Sequence, residues 1–149
     1  MKDSLRPGLR HVFSYRVPVH KTVPALYPEA PEFQTMPAVF ATGFLVGLVE
    51  WTCIQALAPH LDAREQSLGT RLELSHEAPT PPGERVTVEV TLREIEGRRL
   101  LFEVEARDES ALICRGRHER AVIDAERFAK RLAERTRPAT AEGGAAPRG

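Results

Sequence analysis

The stretch from Phe40 to Ala58, Phe-Ala-Thr-Gly-Phe-Leu-Val-Gly-Leu-Val-Glu-Trp-Thr-Cys-Ile-Gln-Ala-Leu-Ala, is the most hydrophobic part of the chain, and between Phe44 and Ile54 it holds one ionisable side chain, Glu50. Its composition predicts a helix from about residue 41 to 57, with Pro59 marking the end. A helix that is apolar nearly all round has no face for water, so the rest of the chain must wrap it. Gly43 and Gly47 thin one side and admit a sheet or a second backbone at close range. Glu50 has Val46 and Ile54 one turn away on either side, so burial of the helix would desolvate the carboxylate. An unpartnered buried carboxylate is costly, so such a group needs a reason to be there. A catalytic carboxylate is one reason; a structural carboxylate bonded to backbone or to a subunit partner is another, and the helix alone leaves both open.

What surrounds the helix is β-rich. Leu9 to Val19 reads as a strand ended by Pro18. Pro24, Pro28, Pro31 and Pro37 then limit regular structure to a turn or two, while Val23, Leu26, Tyr27, Phe33 and Met36 make that connection apolar enough to serve as a lid. After the helix, Leu68, Thr70, Leu72 and Leu74 alternate with polar residues, as do Val86, Val88, Val90 and Leu92. Glu96-Gly97-Arg98 turns the chain into Leu100, Phe102, Val104 and Ala106, and Asp108-Glu109-Ser110 turns it again before Leu112 to Ile123. Strands joined by tight turns predict an antiparallel meander with one buried face. Asp124 is placed to cap a last helix, Ala125 to Arg135. The reading is one α+β domain, residues 1–136, with residues 137–149 as a disordered tail. A curled antiparallel sheet around one apolar helix is the hot-dog architecture.

The 21 acidic and 21 basic residues cancel, which gives no signal for nucleic acid or membrane. The opening Met-Lys-Asp-Ser-Leu-Arg-Pro is not a secretory signal, and the apolar stretch is too short and too polar to span a bilayer. Cys53 and Cys114 lack metal-ligand spacing and read as two thiols in a reducing cytoplasm. No nucleotide-binding or hydrolase fingerprint occurs.

Two further residues stand out. His76 follows the Leu68 to Leu74 alternation in phase with its apolar set, so it should point at the helix; alone it reads as a satisfied core histidine, but beside a carboxylate an imidazole gains basicity and orientation. Thr42 lies at the helix start, either as an N-cap or with its hydroxyl facing a pocket at the positive helix end, as nucleophile or as donor to a substrate oxygen. Eight positions separate Thr42 from Glu50, ~12 Å of rise on a straight helix, so a shared pocket would run along the helix. His20, His60 and His118 look ordinary, and Arg115, Arg117 and Arg120 alternate along the last strand, most of them solvated and one able to hold a phosphate or an acyl carboxylate.

Read in blocks, the chain resembles the fluoroacetyl-CoA thioesterase family from Met1 to about residue 135. The blocks are His20-Lys-Thr-Val23, Leu26-Tyr-Pro-Glu-Ala-Pro-Glu-Phe33, Val39-Phe-Ala-Thr-Gly-Phe44, Val46-Gly-Leu-Val-Glu-Trp51, Ser67-Leu-Gly-Thr70, Thr80-Pro-Pro-Gly83, Glu96-Gly-Arg-Arg-Leu100 and His118-Glu-Arg-Ala-Val-Ile123. The resemblance implies a hot-dog thioesterase acting on a short acyl-CoA without metal or cofactor, as a cytoplasmic homodimer with pockets near the subunit interface. It implies Thr42, Glu50 and His76 as the catalytic set, with Gly69 and Arg120 on the thioester, CoA or substrate and with Val23, Phe33 and Met36 on the substrate side. The family has a phenylalanine at the position of Met36, where an aromatic pair with Phe33 gates fluoroacetyl selectivity. A non-catalytic acyl-CoA-binding protein and a hot-dog enoyl-CoA hydratase are the alternatives on the same fold.

Overall fold

The computed structural model describes residues 1–136; the expected tail, residues 137–149, lies outside them. Five antiparallel strands form one sheet in the order β1-β3-β4-β5-β2: β1 Arg10–Arg16, β2 Glu65–Leu74, β3 Arg85–Glu96, β4 Arg99–Arg107 and β5 Leu112–Asp124. The meander is β3, β4 and β5, neighbours in sequence and in the sheet. Gly97, at φ 58°, makes the first of its turns. Asp108 makes the second by accepting from the N–H groups of Ser110 and Ala111, both at 2.8 Å.

The long helix, α3 (Thr42–Leu57), packs over β3 and β1. Leu45, Leu48, Val49, Cys53 and Leu57 meet Val86, Val88, Val90 and Leu92 of β3 and Leu100 and Phe102 of β4 in one core. Two four-residue helices, α1 (Val23–Leu26) and α2 (Pro31–Gln34), each with proline in the first turn, make up the proline-rich connection. Leu26 approaches Gly43 so closely that a Cβ there would meet Leu26 Cδ1 at 3.1 Å, so this glycine lets α1 sit close on α3; Gly47 stands open. Asp124 caps α4 (Ala125–Arg135), its carboxylate accepting from Arg127 N at 3.0 Å, as expected.

Two expectations fail. The helix is not wrapped on all sides: Trp51 and Ile54 are each 47% exposed. Trp51 packs on Phe13 and Tyr15 of β1, which is itself an edge strand, so no further strand lies beyond to cover it. Nor does β2 bury Leu68 and Leu72, although Leu74 packs against the core. A register shift between Gly69 and Arg71 breaks the alternation, and Leu68 and Leu72 face solvent. Leu72 pairs with inward-facing His118 and Leu68 with Ala121, so the shift leaves the two leucines on opposite faces of the edge strand.

Candidate active site

Side chains that could carry chemistry fall into two groups at different levels of α3. The first is at its start. Ala41 is the N-cap and places no side chain on the free N–H groups of the first turn. Thr42 is already helical, so its hydroxyl is not a cap; Oγ1 instead lies 2.7 Å from Nδ1 of His76. His76 follows β2 in the segment that leads to Phe40, whose N–H bonds the Thr80 carbonyl at 2.8 Å. The pair faces a groove of about 260 Å³ lined by Val23, Val39, Phe40, Thr42, His76, Glu77, Ala78 and Pro79. Burial lowers the His76 pKa from the ordinary 6.5, which favours the neutral, proton-accepting ring. Its Nε2 is buried and has no hydrogen-bond partner among the described residues.

The second group surrounds Glu50, two turns further on. Arg120 Nη1 donates to Glu50 Oε1 at 3.2 Å and lies 2.9 Å from His118 Nε2. Arg120 Nε and Nη2 donate to the hydroxyl and carbonyl of Ser67, both at 2.8 Å. Gly69 pairs with Arg120 across β2 and β5, and a Cβ on it would sit 2.5 Å from Glu50 Oε1. Only glycine lets the carboxylate lie against the strand. Cys53, beneath the group, has its thiol pushed up to about 12 by burial, which keeps it protonated and inert.

Several expectations change accordingly. Within one chain Glu50 is not desolvated: its side chain is 39% exposed and ion-paired to Arg120. Its neighbouring imidazole is His118, and within one chain no hydrogen bond joins it to His76 among the described residues. Of the three arginines of β5, Arg115 and Arg117 are exposed and Arg120 is the buried one at 2%, while His118 is fully buried rather than ordinary. The missed signal was parity: Cys114, His118, Arg120 and Val122 share the inward face of β5, whereas Arg115 and Arg117 share the other. Of the residues expected on the substrate side, Val23 lines the groove. Phe33 and Met36 lie outside its lining, Phe33 stacked on Tyr27 at 5.8 Å and Met36 exposed. No three His, Cys, Asp or Glu side chains gather as a metal site among the described residues.

Comparison with known proteins adds to this geometry. Residues 26–126 match the family described as fluoroacetyl-CoA-specific thioesterase. The chain is 52% identical over 136 residues to a fluoroacetyl-CoA thioesterase of Streptantibioticus cattleyicolor, covering 91% of this chain and 98% of that one. A solved structure of a fluoroacetyl-CoA thioesterase superposes with a TM-score of 0.88 at 51% identity, over 91% of this chain and 100% of the other. A thioesterase superfamily member from Thermus thermophilus superposes with a TM-score of 0.77 at 30% identity, over 89% and 96% of the two chains.

Proposed function

Because the chain belongs to the fluoroacetyl-CoA-specific thioesterase family and is therefore a hot-dog thioester hydrolase, we propose that it hydrolyses a short-chain acyl-CoA, fluoroacetyl-CoA among the candidates, at a site made from Thr42, His76 and Glu50. The observation that carries this reading is the 2.7 Å contact between Thr42 Oγ1 and His76 Nδ1 at the mouth of a groove. A hydroxyl on an imidazole is a nucleophile–base arrangement. The groove, about 260 Å³, lies below the usual range for drug-sized ligands, which supports a small acyl group with the rest of CoA outside.

The thioester carbonyl would lie over the free N–H groups at the start of α3, where the helix dipole favours developing negative charge. His76 takes a proton from the attacking oxygen and returns it to the departing thiolate, so the C–S bond breaks, a C–O bond forms, and acid and CoA leave. Two oxygens fit the attack. If Thr42 attacks, an acyl-threonine forms and water then cleaves it. If water attacks, Glu50 orients it and Thr42 holds the ring. Water is the one co-reactant, and neither route uses a cofactor.

Glu50 reaches this groove in a homodimer. Within one chain it is ~12 Å of helix away from Thr42. It also lies against Gly69 of β2, an edge strand, and one turn from Ile54, which is 47% exposed. An antiparallel meeting of two such edges would cover Ile54 and bring Glu50 of the partner subunit to the Thr42–His76 pair, toward the free Nε2. The two free, buried cysteines fit a cytoplasmic enzyme, and no helix among the described residues is long and apolar enough to cross a membrane.

The test is hydrolysis of acetyl-, fluoroacetyl-, butyryl- and benzoyl-CoA, followed by thiol release. Turnover of the two-carbon substrates above the others supports the reading; no thiol release from any of them refutes it.

A further inference from the structure

His118 lies beneath Glu50, and the reaction as described does not use it. It is fully buried, and across the sheet it faces Leu72 and Phe102. An apolar side chain would fill such a position without the cost of burying polar atoms. The imidazole instead makes two hydrogen bonds. Nδ1 lies 2.9 Å from the Arg71 carbonyl, and Nε2 lies 2.9 Å from Arg120 Nη1. Guanidinium N–H groups only donate, so Nε2 presents its lone pair and the ring proton sits on Nδ1, donated to Arg71. Only this neutral tautomer satisfies both contacts. A second ring proton would aim an N–H at a cation. Burial, with the Arg120 charge added, lowers the His118 pKa in agreement with the neutral ring, though the Arg71 carbonyl and Glu50 pull the other way.

The nitrogen held by His118 is the one that holds Glu50. Arg120 Nη1 contacts both, and Ser67 fixes the rest of the guanidinium. The bare face of Gly69 closes the group, since a Cβ there would also meet His118 Cε1 at 3.1 Å. We propose that His118 is a positioning residue for thioester hydrolysis: as the Nδ1–H tautomer it fixes the Arg120 guanidinium and, through it, the angle at which Glu50 is presented. This rests on the reading of Glu50 as part of the site.

The test separates the two ring nitrogens. In His118→Asn the amide keeps the donor to Arg71 and loses the acceptor for Arg120; in His118→Gln the carbonyl oxygen reaches the Nε2 position and keeps the acceptor. His118→Asn should lower kcat by on the order of 100-fold with KM little changed, the scale of an ångström-sized misplacement of a reacting group. His118→Gln should regain most of that loss, and His118→Asn should add nothing in a Glu50→Gln background. Equal losses in Asn and Gln, or a full further loss in that background, overturn the proposal. A Glu50→Gln enzyme with normal turnover overturns the site reading and this inference together. An inactive Glu50→Gln with a normal His118→Asn overturns this inference alone. If His118→Asn does not fold, nitrogen-15 spectra of the unmutated, histidine-labelled protein decide: an Nδ1–H His118 supports the proposal and an Nε2–H His118 refutes it.

Discussion

Thr42 Oγ1 and His76 Nδ1 are 2.7 Å apart although the two residues come from different elements, the first turn of α3 and the segment after β2. Such a contact orients the ring and readies the oxygen for proton transfer. His76→Ala should lower kcat on a two-carbon acyl-CoA by at least ~100-fold, the usual scale for losing a general base. Thr42→Ser keeps the hydroxyl and should retain most turnover, while Thr42→Val should lose it. If Thr42 attacks, rapid quenching of wild-type enzyme should find an acyl group on the Thr42 peptide by mass spectrometry; its absence under single turnover assigns the attack to water.

The pH profile should carry the mark of a buried imidazole. Burial lowers the His76 pKa below 6.5, so the folded ring stays neutral at a pH where a free histidine is half protonated. Burial by itself puts the midpoint of the acid limb of kcat/KM below 6.5, whereas a carboxylate from the partner subunit at Nε2 raises it, so a midpoint at or above 6.5 marks that carboxylate's arrival. Folding stability should follow the same sign. The unfolded chain takes up protons first as pH falls through 6.5, so the contribution of His76 is whole above that value and is lost as pH drops toward the folded pKa. His118, lowered in the same direction, adds to the loss. Initial rates and urea melts between pH 5 and 8 measure both effects.

Gly69→Ala tests how closely Glu50 lies against β2. Its backbone does not adopt positive φ, so alanine brings no backbone strain. The added Cβ would lie 2.5 Å from Glu50 Oε1, and the carboxylate must move. Turnover should fall on the order of 100-fold, while the melting temperature stays near that of wild type. Unchanged kcat would mean that the placement of Glu50 at the strand is immaterial.

Acyl preference should respond to the lid. Met36 is exposed, unbranched and adaptable, beside a stacked Tyr27–Phe33 pair. Met36→Phe should raise the ratio of kcat/KM for fluoroacetyl-CoA over acetyl-CoA, measured side by side. An unchanged ratio would take the lid out of acyl selection.

Much of this could be read from the chain because the signals were local. The alternations of β3 and β4, the Gly97 turn and the Asp124 cap are each decided within a few residues, and each formed where expected. Thr42 and His76 were legible as a helix start and an inward phase. What the sequence hid depends on sheet order. That β2 lies at an edge and breaks register at Gly69 cannot be read from its own alternation, so Leu68 and Leu72 looked like core. The same order leaves Glu50 half open and ties it to Arg120, seventy positions away. His118 looked ordinary because it lies in a charged run, and nothing local marked Arg120 as the buried one of the three arginines; their parity pointed inward.

The central claim is that Glu50 and His76 serve one thioester from two subunits, and a mixed dimer tests it most directly. Glu50→Gln and His76→Ala chains, each inactive as a homodimer, are co-expressed with different tags and the heterodimer is isolated. One of its two sites then has both native residues, so it should hydrolyse acyl-CoA at about half the wild-type rate, as two-fold symmetry requires. A heterodimer as inactive as its parents would contradict the account.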